Sequence, residues 1–361
     1  MQINFDAEQL THLLAAITKW IPTKSELNRG RGAPHCLLDV RNDVGTFSIA
    51  GHDCWIDAAV PVRSSSARSA LFTPKEVLQG LKGCEGRATV TIDGRKVSFR
   101  TDNRDVASDV QSSSPSSFPQ SPTLLDPEKF SVDSWEDVIG VAKAACTKRT
   151  RPILESVLFD GVGRIAATDS YSLYAVDGAT DHTGEAILVP AKFLRTLHRS
   201  IVMDSTVETY AGFVKVTGEL RKAPGVQVTA VCRLAGGEFP MWESLISSDP
   251  TLVLPVTADL VGCVKNLGRS SEAPVRISVS PEGFGKVSVQ TGEGTLEGSL
   301  NFEGVSIDEE IAVTFNSQRL TNLLEVGGRL EVDTPLKPVV QRDRTTAGHD
   351  RLKLLIPSKP A

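Results

Sequence analysis

The 361-residue sequence lacks the features of several specialised protein classes. No stretch approaches the roughly 20 uncharged apolar residues that a membrane-spanning helix needs. The start, Met1-Gln2-Ile3-Asn4, has neither the basic residues nor the apolar block of a signal peptide. We therefore expect a cytoplasmic protein with no membrane segment. With 40% apolar and 23% charged residues the composition is that of a folded protein, and the length allows two or three domains.

Metal and disulfide signatures are also missing. The cysteines form no C-x-x-C pair, which argues against a zinc site and against a disulfide framework. They are Cys36, Cys54, Cys84, Cys146, Cys232 and Cys263. The six histidines show no short spacing typical of metal ligands. We expect reduced, packing cysteines and no cofactor.

Motifs of the common enzyme classes do not occur either. The chain has no G-x-S-x-G elbow, no Walker A run and no H-E-x-x-H. The run GVGRIA at 161–166 formally matches the dinucleotide fingerprint G-x-G-x-x-A, but another strand-like segment follows it. Without a helix N-terminus to hold a pyrophosphate, the run is better interpreted as a hairpin turn. An enzyme remains the alternative from another functional class, and the sequence disfavours it.

Excess positive charge is lacking as well. Lysine and arginine number 39 against 44 aspartate and glutamate, for a formal charge of −5. This balance argues against a general nucleic-acid binder. It does not exclude a basic surface confined to one face.

What the sequence does contain is an internal repeat. Helix-like segments begin near residues 5, 130 and 255, and each has apolar residues at i, i+3, i+4 and i+7. Asp6 and Ser131 stand where an N-cap would be. A second helix recurs in each third, at 72–83, 188–199 and 313–326, with Pro74, Pro190 and Asn316 near its start.

Between the helices lie strand-like runs with turn residues, such as ATVTIDGRKVSFR at 88–100, where Asp93-Gly94 predicts a hairpin. Each third therefore predicts an α+β unit with two helices packed on β-sheet. The polar, proline-rich stretch 111–122 marks the first boundary. We expect three domains, at 1–122, 123–247 and 248–361.

Several stretches resemble one family. RPILESVLFDGVGRIAATDSYSLYAV resembles an arginine-initiated hairpin that ends in a T-D turn, and VPAKFLRTLHR and GGEFPMWESLI resemble a helix and an F-P exit in the same domain. DTPLKPVVQR and LKLLIP resemble the last strands. Together they resemble the bacterial β sliding clamp, the processivity subunit of DNA polymerase III.

This resemblance implies a head-to-tail ring of two subunits, each with three tandem clamp domains, closed around duplex DNA. A ring that slides needs weak, sequence-independent phosphate contacts. On the helix at 188–199, the basic residues fall on one side and leucines on the other. The expected DNA-binding residues are Arg29, Arg31, Lys148, Arg149, Lys192, Arg195 and Arg199. For the ring seam, the expected residues are Val106, Val110 and Leu267. The strand DNRDVASDVQ at 102–111 is polar, so the dimer is expected to be weak.

The resemblance also implies a hydrophobic pocket for short linear motifs of polymerases, the clamp loader and repair proteins. Transferred by position, its wall is Arg151, Leu154, Thr168, Ser170, Tyr171, Ser172, Leu173, Pro240, Ser244, Leu245, Leu354, Ile356, Pro357, Ser358 and Lys359. Within this wall, Thr168-Asp169-Ser170 is expected to serve as a turn.

The sequence departs from the family at the pocket. Ser172 and Ser244 stand where many members have arginine, and Tyr171 replaces a frequent histidine. The loss of two cations should weaken recognition of acidic peptide ends and leave apolar anchors as the main determinant. These departures suggest a diverged clamp, such as a second copy in its host or one carried by a phage or plasmid. A repeat scaffold that binds proteins without closing on DNA remains an alternative.

Overall fold

A computed structural model of the chain describes residues 1–22, 35–51, 53–63, 67–110, 114–147, 151–200, 205–268, 274–291 and 294–358. Six α-helices lie in these ranges. They are α1 (Ala7–Ile17), α2 (Pro74–Leu81), α3 (Trp135–Ala142), α4 (Ala191–His198), α5 (Ala258–Gly268) and α6 (Ser317–Leu323).

Most of the described chain is β-strand. The strands are β1 (Gln2–Asp6), β2 (Cys36–Arg41), β3 (Val44–Ala50), β4 (Cys54–Pro61), β5 (Arg68–Phe72), β6 (Arg87–Asp93), β7 (Lys96–Arg100), β8 (Asp105–Asp109), β9 (Glu128–Phe130), β10 (Ser156–Phe159), β11 (Ile165–Thr168), β12 (Ser172–Val176), β13 (Ile187–Pro190), β14 (Thr206–Tyr210), β15 (Phe213–Glu219), β16 (Gln227–Arg233), β17 (Leu252–Pro255), β18 (Val275–Val279), β19 (Phe284–Thr291), β20 (Gly294–Asn301), β21 (Ile311–Phe315), β22 (Arg329–Val332), β23 (Val339–Arg344) and β24 (Asp350–Leu355).

Each of the six predicted helices contains an observed one. Asp6 caps α1 as expected, because its carboxylate accepts a hydrogen bond from the Gln9 backbone N–H at 2.8 Å. Asn316 caps α6 in the same way. Pro74 occupies the first turn of α2. The predicted cap at Ser131 is wrong, since α3 begins only at Trp135, after the short extended segment that includes β9.

The chain divides into two units, residues 1–135 with 189–235 and residues 136–188 with 236–361. The first contains a four-stranded sheet in the order β1-β6-β7-β8 and an eight-stranded sheet in the order β5-β2-β3-β4-β16-β15-β14-β9. The second is built around an eight-stranded sheet, β13-β10-β11-β12-β24-β23-β22-β17, and a four-stranded sheet, β20-β19-β18-β21.

Strand order repeats three times along the chain. A run ordered like β1-β6-β7-β8 recurs as β9-β14-β15-β16 and as β17-β22-β23-β24. A run ordered like β5-β2-β3-β4 recurs as β13-β10-β11-β12 and as β21-β18-β19-β20. Each eight-stranded sheet joins two such runs edge to edge, through β4–β16 and through β12–β24. The fold is therefore α+β, with three tandem repeats of two helices on β-sheet.

Buried apolar side chains hold the helices on the sheets. In the first unit, Leu10 and Leu14 of α1 and Val77 of α2 are fully buried, beside edge-to-face contacts among Phe47, Phe72 and their neighbours. In the second unit, α5 and α6 bury Leu260, Val264, Leu320 and Leu323 against strands β18, β19 and β21. Burial on this scale is the main stabilising term of such a fold.

Candidate functional site

One face of the second eight-stranded sheet carries two of the predicted pocket leucines, Leu173 and Leu354. The strand register places Thr168 of β11 opposite Leu173 of β12, and Leu173 opposite Leu354 of β24. Leu354 in turn lies opposite Val340 of β23. Because opposed residues point to the same side of a sheet, four strands supply one continuous row. The structure therefore brings Leu354, which is distant in sequence, next to the predicted residues Thr168 and Leu173.

A second row and a covering segment complete this surface, which we call the apolar patch. Ala166, Ala175 and Leu352 form the next row. Two alanines leave space above the sheet, and Trp242, from the segment after β16, fills it with only 4% of its surface exposed. The patch comprises Ala166, Leu173, Ala175, Trp242, Val340, Leu352 and Leu354, with Leu158, Phe239 and Ile246 packed against it.

The rim of the apolar patch exposes further large apolar side chains. Met241 is 82% exposed, Leu245 46% and Ile356 38%. Pro240 is also exposed, and the Ser244 hydroxyl donates to the Met241 carbonyl at 2.8 Å, which holds the turn that carries Leu245. Apolar side chains that remain exposed around a buried apolar floor are typical of a binding surface.

The turn between β11 and β12 has the predicted structural role. One Asp169 carboxylate oxygen accepts hydrogen bonds from the backbone N–H of Tyr171 and of Ser172 and from the Ser172 hydroxyl. The Thr168 hydroxyl donates to the Ser172 carbonyl and accepts from the Ser170 N–H, while Ser170 has a φ of 76°. These bonds stabilise a tight turn and occupy the polar groups that first resemble a catalytic cluster.

Tyr171 and Ser172 line a cavity of about 1010 Å³ on the other side of β12, next to α3 and α6. Tyr171 is 53% exposed, and the Arg319 guanidinium of α6 lies 3.9 Å from its ring centroid. Arg319 also pairs with Asp169 at 3.7 Å. A cation thus lies close to Ser172, where the sequence lacks arginine.

Another cation lies beside the apolar patch. The Arg164 guanidinium is 5.3 Å from the Trp242 ring centroid and pairs with Glu243 at 3.2 Å. It also pairs with Asp160 at 3.2 Å and with Asp177 at 3.1 Å. Burial raises the pKa of Asp177, while the Arg164 charge opposes that rise. The sequence pattern gave no sign of either contact, because Arg164 and Trp242, like Arg319 and Tyr171, lie far apart in the chain.

The remaining predicted pocket residues lie at the edges. Leu154 is buried before β10, and Arg151 is exposed at the start of the same turn. After β24, the Ile356 N–H donates to the Tyr171 carbonyl and the Ser358 N–H donates to the Thr314 carbonyl. Pro357 lies between these two bonds, half-buried. Lys359 lies outside the described residues.

A buried polar network supports the sheet behind the patch. Lys353 of β24 is 1% exposed and pairs with Glu325 at 2.6 Å, and burial lowers its pKa. Arg351 bridges Glu325 and Asp343. The Tyr174 hydroxyl donates to the Asn322 carbonyl at the end of α6, and burial raises the pKa of Tyr174 to about 12. The network fixes α6 on β12 and β24.

A basic surface lies at the ends of α1 and α4 in the first unit. Lys192 and Arg199 are exposed on α4 and just after it, and Arg195 is half-buried. The Lys19 ammonium donates to the Arg199 carbonyl at 3.3 Å. Burial lowers the pKa of Lys19 and of Arg195, and the nearby Arg199 charge lowers both pKa values further. The Lys222 charge also lowers the pKa of Lys19. Repulsion of this kind shows that the cations are crowded together.

Packing on the opposite side of α4 positions this basic surface. Phe193, Leu194 and Leu197 are buried, and the Phe193 ring meets Trp20 edge to face at 5.5 Å. The pattern of α4 is therefore the predicted one. Lys19 and Lys222 were missed, because they come from other segments. Arg29, Arg31, Lys148 and Arg149 lie outside the described residues.

The residues predicted for a seam pack inside their own units. Val106 of β8 lies against Gly80 of α2, where an added Cβ would come within 2.4 Å of it. Val110 is 6% exposed, in a cluster with Ala50, Leu71 and Phe118. Leu267 of α5 lies near Gly298 of β20. Val106 and Leu267 therefore pack behind the edge strands β8 and β20, while Val110 packs against the first eight-stranded sheet.

The described part of the chain has neither a metal-binding cluster nor a membrane-spanning helix. No group of three or more His, Cys, Asp and Glu side chains is arranged to hold a metal ion there. No described helix is long and apolar enough to cross a membrane.

Comparison by sequence finds no matching family model and no matching curated protein. Comparison of structures gives a different result. The DNA polymerase sliding clamp of Bacillus subtilis matches over 100% of both chains with a TM-score of 0.84 at 15% identity. The sliding clamp of Caulobacter crescentus matches over 100% of both chains with a TM-score of 0.81 at 17% identity.

A third structure carries a bound peptide. The Helicobacter pylori β clamp bound to a DNA ligase peptide matches over 99% of this chain and 100% of that chain, with a TM-score of 0.80 at 13% identity. Each of the three structures covers at least 99% of this chain. The chain has the fold of the bacterial DNA polymerase β sliding clamps.

Proposed function

We propose that the chain is a non-catalytic processivity factor, a sliding clamp that encircles duplex DNA in the cytoplasm and tethers a polymerase to it. The observation that carries this proposal is that the strand order repeats three times, while two strands of the repeat, β8 and β20, remain at sheet edges. Two of the three equivalent joins are made within the chain, by β4–β16 and β12–β24. Strand β8 is equivalent to β16 and β24, and strand β20 is equivalent to β4 and β12. Both β8 and β20 are edge strands.

Ring closure would result if the same kind of join formed between two copies of the chain. If β20 of one copy pairs with β8 of a second copy, the third join forms twice and two chains close head to tail. Strand β20 is mostly exposed, as an edge awaiting a partner would be. Three domains at 1–122, 123–247 and 248–361 in each copy would then give a ring of six.

The basic surface around α4 fits contact with duplex DNA. Lys192, Arg195 and Arg199 present cations on one side of a short helix, with Lys19 and Lys222 close by. Flexible lysine and arginine side chains on a surface bind phosphates without reading bases. Such contacts exchange readily, which suits a protein that must slide, and they account for a basic region on a chain of net charge −5.

The apolar patch fits capture of short peptides. Its floor of leucine, valine and alanine takes apolar anchors, and Met241, Leu245 and Ile356 on the rim would close over them. Arg164 provides a cation beside the patch, and Arg319 provides one beside Tyr171, in the cavity on the other side of β12. We infer that partners such as a polymerase, a clamp loader and repair proteins bind here through short linear motifs.

Topological retention on DNA tests this function. The protein is loaded onto nicked circular plasmid by a clamp loader, and retention after gel filtration is compared with that on the same plasmid linearised afterwards. A ring stays on the circle and slides off the linear ends, and its mass in solution is that of a dimer. Equal retention on both forms, or a monomer at micromolar concentration, would contradict the ring and favour the scaffold.

Charge reversal tests the DNA surface separately. The double substitution Lys192→Glu with Arg199→Glu should weaken retention on circles and flatten its dependence on salt, because phosphate contacts are lost. Arg41→Glu is the matched control, since Arg41 is an exposed arginine in the same unit that pairs with Asp39. Unchanged retention in the double variant, with the control also unchanged, would remove this surface from the DNA-binding site.

A further inference from the structure

Two cysteine side chains meet across the join between β4 and β16. Cys54 and Cys232 are 178 positions apart in sequence, yet their Sγ atoms are 2.9 Å apart. A disulfide bond is about 2.0 Å long, so the two sulfurs would need to approach by roughly 0.9 Å more. Both residues belong to the first unit.

The backbone around this pair already has a suitable geometry. Cys54 and Cys232 are directly opposed in an antiparallel ladder, and the Arg233 N–H donates to the Asp53 carbonyl at 2.7 Å. This bond flanks the pair, so the two cysteines form a non-hydrogen-bonded pair, in which the Cα atoms are about 4.5 Å apart and the side chains are close. Disulfides accept Cα separations from about 4.4 to 6.8 Å. The ladder can therefore accommodate a bond without a change of register.

The two thiols differ in their access to solvent. Cys54, at the start of β4, is partly exposed, and Cys232 is buried. Burial raises the pKa of the Cys232 thiol, and its hydrogen bond with Cys54 raises it further. A small oxidant would consequently reach Cys54 first, and Cys232 would be the second thiol to react.

We propose that Cys54 and Cys232 form a redox modification site, at which a peroxide closes a disulfide across the β4–β16 join. The Cys54 thiolate attacks one peroxide oxygen and breaks the O–O bond, which gives a sulfenic acid and, from hydrogen peroxide, water. The Cys232 sulfur then attacks the Cys54 sulfur, expels the sulfenic oxygen as a second water and forms the S–S bond. Two thiols are oxidised and one hydrogen peroxide is reduced to two waters.

The bond would fasten two runs of strands that are far apart in the chain. Strands β2 to β5 come from residues 36–72, and β14 to β16 come from residues 206–233. Their join rests on the β4–β16 ladder, so a disulfide there resists separation of the two halves of the sheet. A thiol system such as thioredoxin or glutathione would reverse it. The proposal does not depend on DNA binding or ring closure.

Mass spectrometry of the intact chain provides the test. The reduced protein, freed of reductant, is treated with hydrogen peroxide under native conditions, quenched and alkylated. We expect a species lighter by about two mass units per chain before alkylation, with two fewer alkylation sites. Non-reducing digestion should yield a peptide that links Cys54 to Cys232, and dithiothreitol should release it.

Three variants sharpen the result. Cys232→Ser should stop the reaction at the Cys54 sulfenic acid, which a dimedone-type probe labels, and Cys54→Ser should remove both products. Cys84→Ser is the control, since Cys84 is another partly exposed cysteine of the same unit, and it should form the disulfide as wild type does. The urea midpoint of the oxidised wild type should rise and return after reduction.

Either of two outcomes would overturn the proposal. One is native wild-type protein in which peroxide leaves Cys54 and Cys232 unlinked, whether unreacted or overoxidised to sulfinic acid. The other is a linked peptide that joins different cysteines. Both observations are made on the wild-type chain, so a misfolded variant cannot obscure them.

Discussion

The two eight-stranded sheets have the same strand order and differ in the face that could receive a ligand. In the first, the second residue of β4 is Trp55, opposite Val231. In the second, the equivalent residue of β12 is Leu173, opposite Leu354. Trp55 lies beside Phe213 with ring centroids 6.3 Å apart, so aromatic side chains of the first unit fill that face themselves.

The segments that cover these two sheet faces differ in the same way. Phe118, in the first unit, is 6% exposed and belongs to a closed cluster with Ala50, Leu71 and Val110. The segment with Phe239 and Trp242 covers the second sheet, and it leaves Met241 and Leu245 exposed. Repetition of a fold thus supplies two similar surfaces, and side-chain size decides which one stays open to a partner.

The largest expected effect concerns the two tryptophans. Trp242→Ala should lower the free energy of unfolding by about 3–5 kcal/mol, since a buried indole and its contact with Arg164 are lost. Trp55→Ala should cost about 1–2 kcal/mol, because Trp55 is only half-buried. Urea unfolding of both variants checks the order. Equal losses would contradict the idea that Trp242 is the main cover of the apolar patch.

The next effect depends on pH and belongs to the second sheet. The pKa of Tyr174 is raised to about 12 by burial, against about 10 in an unfolded chain. Between these values the unfolded state binds fewer protons, so stability falls as pH rises, by up to about 3 kcal/mol in total. Tyr174→Phe lacks this titration, and at neutral pH it loses about 1 kcal/mol with the hydrogen bond to Asn322.

Urea unfolding from pH 8 to 11.5 measures this difference. The gap between wild type and Tyr174→Phe should close as the pH rises above about 10 and then reverse sign, because wild type loses more stability than the hydrogen bond contributes. Ile56→Val is the control, because Ile56 is the equivalent residue of β4 and does not titrate. Its gap from wild type should stay constant. A constant gap for Tyr174→Phe would show that its folded pKa is ordinary.

Peptide affinity gives a smaller effect at the open rim. Leu245→Asp should weaken binding of a Q-L-x-L-F peptide at least about tenfold, which is about 1.4 kcal/mol, because a carboxylate replaces an apolar contact. Leu125→Asp is the matched control, being an exposed leucine in the first unit. Fluorescence anisotropy with labelled peptide measures both. Weaker peptide binding in both variants, or in neither, would contradict the assignment of peptide binding to the apolar patch.

The smallest effect concerns the cation beside Tyr171. Arg319→Gln should weaken binding of a peptide with an acidic end by about two- to threefold, since a partly exposed cation contributes about 0.5 kcal/mol. A peptide with an amidated, uncharged end should not distinguish the variant from wild type. The contrast sharpens the expectation that serines at 172 and 244 weaken recognition of acidic ends. An equal loss for both peptides would assign Arg319 a packing role.

Local chemistry explains how much of this fold the sequence predicts. The leucines of α1 recur with the helical period of 3.6 residues, and Asp6 caps the first turn. Both signals involve residues close together in sequence, so α1 could be predicted. The Asp93-Gly94 hairpin and the Asp169 turn are local in the same sense. The predicted cap at Ser131 is wrong because β9 ends at Phe130 and α3 begins only at Trp135, and the pattern alone could not show where the helix starts.

Contacts between distant segments could not be predicted in the same way. The small residues Ala166 and Ala175 that make room for Trp242 become a feature only when β11 and β12 are paired. Cys54 and Cys232 were interpreted as unrelated packing residues, because no spacing rule connects strands 178 positions apart. Resemblance to a family located Leu173 and Leu354, and the register then supplied their neighbours.

The central position of β24 has a consequence for synthesis of the chain. Strand β12 pairs with β24 along one edge, and roughly 170 residues separate the two in sequence. At a translation rate of about 5–20 residues per second, the β12 edge waits roughly 10–35 s for its neighbour. During that interval its backbone donors and acceptors can recruit a strand from another nascent chain. Ribosome-bound chaperones that shield this edge would therefore raise the yield of native protein.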